Sequence, residues 1–139
     1  MKVAMLIILY SSLLSYMLFF IFCVMPVSNK ILDDKNKSIF LRKIFPRNFI
    51  FGGILASITF IFSFILKDHW SIIISFIIAL GFIINLLIIM PKINSISDSD
   101  NIEEKKKKKL FRNWHFSSVF IYLTQIIMAL IGIIFYVQI

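Results

Sequence analysis

The stretch SIIISFIIALGFIINLLIIM, from Ser71 to Met90, contains no Asp, Glu, Lys or Arg. A helix needs about 20 apolar residues to cross the hydrocarbon core of a bilayer, and this run supplies them without a break. Ile and Phe favour strands in water, but a run of this length overrules that weak preference. Without water the backbone must satisfy its own polar groups, which makes a helix the economical structure.

Three more runs of the same kind flank it, giving spans at about 3–27, 49–66, 71–90 and 116–139. None contains a charged residue, and none shows the ~10-residue alternation of an outer-membrane barrel. Of the 139 residues, 60% are hydrophobic and 16% charged, with a mean hydropathy of +0.94. A soluble domain of this size must present more polar surface to water. The expected fold is therefore all-α, a single four-helix transmembrane domain over 1–139.

Lys2 followed by an apolar stretch also fits a cleaved signal peptide. The run is long for a signal core, no small-x-small site follows it, and Phe22 precedes Cys23, where lipoprotein cleavage requires a small residue. The first segment is expected to be a retained helix. One cysteine supplies neither a disulfide framework nor a CxxC metal pair.

The net charge of +8 does not indicate nucleic acid, because the cations sit between apolar runs. Thirteen of the fifteen Lys and Arg residues fall in segments 28–48 and 91–115, and only Lys2 and Lys67 lie elsewhere. The positive-inside rule places both segments in the cytoplasm as basic loops and both termini outside, with the short Lys67-Asp68-His69 turn. The polar stretch Ser95 to Asn101 reads as a mobile linker. The run Lys105, Lys106, Lys107, Lys108 and Lys109 sits where it can meet anionic lipid headgroups, each charge contributing about 1 kcal/mol.

Within the runs, Gly52 and Ala56 are spaced as small-xxx-small, a pattern that lets helices approach closely in lipid. Asn85 carries a buried amide whose ordinary role is to bond between helices. His115, Ser118, Tyr122 and Gln125 fall at steps of three, four and three, on one stripe of a helix. His115 is a candidate proton carrier or metal ligand, although an imidazole at the headgroup level commonly just bonds a nearby loop. Cys23, Met25 and Met90 lie at a similar depth and with His115 form a thin soft-metal set; such residues are usually packing. Pro26, Pro46 and Pro91 are expected at helix boundaries, where a missing amide is tolerated. No nucleophile elbow, phosphate loop, HExxH pair or carboxylate dyad is present, so no catalytic role is assigned.

Several short motifs resemble an uncharacterised family of four-helix membrane proteins, domain of unknown function 4149, which includes transmembrane protein 205-like proteins. They are Met25-Pro26-Val27 with Leu32-Asp33, Phe40-Leu41-Arg42-Lys43-Ile44-Phe45-Pro46 leading through Asn48-Phe49, Met90-Pro91-Lys92-Ile93-Asn94, and Phe111 with His115, Ser118, Val119 and Gln125. Where the family pattern has an Arg-Asp pair after Ile93-Asn94, this chain reads Ser97-Asp98, and a helix-four Asn is here Tyr122. The resemblance implies a bacterial inner-membrane protein without an established activity, and adds weight to Arg42, Pro46, Pro91, His115, Ser118 and Gln125.

Three functions follow as expectations. The first is a non-enzymatic protein whose cytoplasm-facing polar pocket, lined by Arg42, Asn85, His115, Ser118 and Gln125, binds or helps move a small ligand or ion. The second is a structural or assembly subunit of a membrane complex. The third is a heme- or metal-using redox protein with His115 as ligand, a homodimer supplying a second imidazole. The sequence names no cofactor.

Overall fold

The apolar runs close their backbone hydrogen bonds on themselves, as hydrocarbon surroundings require. The computed structural model describes residues 2–138 and contains, among them, four helices and no strand. Helix α1 spans Lys2–Ile31, α2 Asp34–Ile65, α3 His69–Asp98 and α4 Glu104–Val137. Each is long and apolar enough to cross a membrane. The expected last residue of the fourth run, Ile139, lies outside the described residues.

The helices outlast the apolar runs. At ~1.5 Å per residue, 30 to 34 residues reach about 45–51 Å, well beyond a ~30 Å hydrocarbon core. The excess emerges at the end that carries the basic residues. The segments 28–48 and 91–115 are therefore largely helical, and the expected linker is helix up to Asp98. Their many Lys, Arg and Glu residues are good helix formers, so nothing stops the turn at the edge of the apolar run. The five lysines form the first turns of α4 instead of a loop before it.

The prolines also sit differently from expectation. Pro46 lies inside α2, and neither Pro26 nor Pro91 ends its helix. In a regular helix a proline ring presses on the carbonyl four residues back. Here a wide π turn precedes each Met-Pro pair, Phe20–Val24 in α1 and Asn85–Ile89 in α3. Met25 N–H donates to the Phe20 carbonyl and Met90 N–H to the Asn85 carbonyl, one residue farther back than usual. The wider turn makes room for the ring, and the helix continues.

The two halves of the chain repeat one design. The buried residues Leu6, Tyr10, Leu13, Met17 and Phe20 of α1 correspond to Ser71, Ser75, Ile78, Phe82 and Asn85 of α3, at a constant step of 65 (75 − 10). The π turns and Met-Pro pairs keep that step. In α2, buried Phe49, Gly52, Ala56, Thr59 and Ser63 correspond to Tyr122, Gln125, Ala129, Gly132 and Tyr136 of α4, at a step of 73 (122 − 49). Between the hairpins α2 packs on α3 and α1 on α4, and together these two interfaces are more extensive than the two within the hairpins. Exchanging the hairpins maps each of these interfaces onto the other, which describes an approximate two-fold axis along the bundle, as in parallel-repeat membrane proteins.

At the end opposite the basic extensions the bundle is closed by hydrogen bonds. Lys67 takes a left-handed φ of 56° between α2 and α3, and Asp68 Oδ1 accepts from Ser71 N–H at 3.0 Å, capping α3. Tyr136 donates to the same carboxylate at 2.7 Å. Tyr10, fully buried, shares a 2.8 Å hydrogen bond with the Ser71 hydroxyl, which in turn meets Ser63 at 2.5 Å. All four helices are joined there.

Candidate binding cavity

The same bundle opens at the basic end. There a half-open cavity of about 690 Å³ is walled by residues of all four helices. Its floor is aromatic, formed by Phe20, Phe45, Phe49 and Tyr122. The rim is polar, with Asn29, Asp34, Lys37, Arg42, Asn94 and His115. Tyr122 is buried, and its hydroxyl accepts from Asn48 Nδ2 at 3.5 Å. Tyr16 donates to the Asn48 carbonyl at 3.4 Å from the α1 side.

One ion pair spans the rim. Arg42 Nη1 donates to Asp98 Oδ2 at 3.0 Å and Nη2 to Oδ1 at 2.5 Å, tying the extension of α2 to that of α3 beyond the apolar runs. The hydrogen bonds hold the Asp98 carboxyl below the usual carboxylate range and raise the guanidinium further. Both side chains remain well exposed, so the pair orients more than it stabilises. His115, also exposed, stacks on Phe111 with ring centroids 6.0 Å apart and planes within 12°.

Of the five residues expected to share a pocket, the structure brings together Arg42, His115 and Ser118. Asn85 and Gln125 do not line the cavity. They lie deeper in the core, 0% and 1% exposed, because their stripe passes below the floor by about one turn. Gln125 Nε2 donates to the Ile78 carbonyl at 2.7 Å, in space left by Gly81, where a Cβ would come within 2.8 Å of that nitrogen. Among the described residues, Gln125 Oε1 and both polar atoms of the Asn85 side chain have no hydrogen-bond partner.

Met25 and Met90 share the cavity with His115, whereas Cys23 is exposed away from it. Among the described residues no three His, Cys, Asp or Glu side chains converge as a metal site would require. Gly52 and Ala56 are buried within this chain, so the small-residue face is spent inside the bundle. Sequence reasoning passed over Asp98, placed in a linker, and Asn48, hidden in a basic segment. The available signal for Asp98 was the pattern of Ile93 and Ile96 beside polar residues, which marks a continuing amphipathic helix.

Residues 8–101 match the family model described as Domain of unknown function (DUF4149). The chain belongs to this family. No curated protein and no solved structure matches it. The part matched to DUF4149 contains both π turns and the Arg42–Asp98 pair, and stops before the α4 residues His115 and Ser118. It is a multi-pass membrane protein in contact with the lipid bilayer along its apolar helices.

Proposed function

We propose that this DUF4149 protein binds a small ligand in the cavity at its basic end, with that end in the cytoplasm of a bacterial cell and the helices in the inner membrane. The observation that carries this is the contrast between the ends: one is sealed by Tyr10, Ser71, Asp68 and Tyr136, and the other opens into a cavity of about 690 Å³. That volume falls in the ~300–1,000 Å³ range of ligand pockets. The orientation follows from the cations, which bias such segments to the cytoplasmic side. The lysines at 105–109 then lie at the level of anionic headgroups and contribute to anchoring.

Native mass spectrometry of the full chain released from nanodiscs tests the reading. A defined adduct is expected on the wild type and is expected to disappear in Ser118→Trp, which fills the cavity from α4. Identical adduct-free spectra for both proteins, with lipid extract supplied, would sink the proposal.

A second reading rests on Met25, Met90 and His115 sharing one cavity, a soft donor set for a metal ion. Elemental analysis of the purified protein would show a stoichiometric metal that His115→Ala removes. Equal metal content in the two proteins excludes it.

A further inference from the structure

We infer that the cavity is a composite site built on the axis of the internal repeat, and that its ligand is an amphiphile with an oxyanion head and a hydrocarbon chain. This rests on the ligand-binding reading above and names the class of ligand.

The steps of 65 and 73 that match the buried faces also match the cavity walls. Met25 corresponds to Met90 and Asn29 to Asn94 at the first step. Arg42 corresponds to His115, Phe45 to Ser118 and Phe49 to Tyr122 at the second. Every one of these residues lines the cavity, so the two hairpins face each other across it with equivalent positions. The apolar pairs lie toward the membrane and the polar pairs toward the basic end, as the order along each helix dictates.

The chemistry of the two zones differs. Phe20, Ile21, Phe49, Met90 and Leu123 offer only apolar contact to whatever occupies the floor. At the rim, Asn29 and Asn94 bring two carboxamides, and Lys37 an ammonium. Arg42 gives two of its donors to Asp98 and keeps three of the five that a guanidinium carries. Asp34 is the single acid in the lining. The field around the mouth has the same sign: thirteen cations and six of the seven acids lie at this end, leaving seven positive charges in excess. Such a mouth gathers anions, and an apolar floor beneath it retains a chain.

The test uses the delipidated full chain in a neutral maltoside, titrated with palmitate, with phosphatidylglycerol and with the uncharged monopalmitoylglycerol, binding being read by native mass spectrometry. Palmitate or phosphatidylglycerol is expected to bind one to one and at least tenfold tighter than the uncharged lipid, and competition between the two identifies a free acid or a membrane lipid as the source. Lys37→Gln and Arg42→Gln are expected to weaken the anionic ligand at least fivefold without changing the uncharged one, and Arg42→Lys to recover part of the loss. Ser118→Trp should abolish one-to-one binding of all of them. Equal affinity for charged and uncharged lipids would overturn the oxyanion inference while leaving the cavity reading standing. Failure of every amphiphile to bind would overturn the inference, and the cavity reading would then depend on the nanodisc adduct alone. Anion binding that survives Ser118→Trp would place the lipid on the surface lysines and also overturn it.

Discussion

Gly52 and Gly53 are neighbours with opposite demands. A Cβ on Gly52 would overlap the Tyr16 hydroxyl and the Phe82 ring, whereas one on Gly53 would meet only Phe82 Cβ at an ordinary 3.7 Å. Overpacking of this kind costs about 1–3 kcal/mol, so Gly52→Ala is expected to destabilise by that amount. Gly53→Ala removes only the entropic penalty of a helical glycine and is expected to be neutral or to stabilise by about 0.5–1 kcal/mol. Reversible denaturant unfolding of both variants in detergent checks the contrast, and equal effects would refute it. The close approach at Gly52 was legible, because Gly52 and Ala56 announce it by spacing. The Tyr10, Tyr16 and Tyr136 contacts were not, since a tyrosine in an apolar run reads equally well as an interfacial or a lipid-facing side chain.

At the scale of the element, length was the quantity hydropathy could not supply. The apolar runs mark where each helix meets hydrocarbon, but a helix stops only where capping, glycine or proline stops it. Pro26 and Pro91 looked like stops and are accommodated by π turns, a backbone adjustment with no residue signature of its own. The continuation of α3 to Asp98 is what delivers a carboxylate to Arg42. Because the folded state holds the Asp98 carboxyl below its ordinary value, the pair is complete at neutral pH and is lost only as the pH falls through that lowered value. A carbon-13 NMR titration of the Asp98 carboxyl is expected to give a midpoint below the ~3.9 of a free aspartate. Arg42→Gln should move it back up. A wild-type midpoint at or above the free value would show that the two extensions are not tied in solution.

At the scale of the molecule, four spans and their membrane class were readable from charge and hydropathy, while the repeat was not. Its halves share burial more widely than identity: Met25-Pro26 and Asn29 recur as Met90-Pro91 and Asn94, but Gly52 stands where the other half has Gln125, Thr59 where it has Gly132, and Arg42 where it has His115. One five-residue match does not make a repeat, and the buried faces extend the register along all four helices. Its mechanical consequence concerns how the bundle is held together. Taken together, the interfaces between the hairpins, α2 on α3 and α1 on α4, exceed those within them, and each hairpin alone would expose a face bearing Tyr10 and Ser63, or Ser71, with hydrogen-bond partners on the other half. In lipid such partners and close packing are what drive association, since the hydrophobic effect does not act between helices there. The chain divided at the Lys67 turn is therefore expected to reassemble: fragments 1–67 and 68–139 produced together should copurify one to one, and each produced alone should be polydisperse. A monodisperse, stable hairpin from either fragment alone would mean that the contacts within a hairpin dominate, and that the axis between the halves is a resemblance of form without a role in holding the fold.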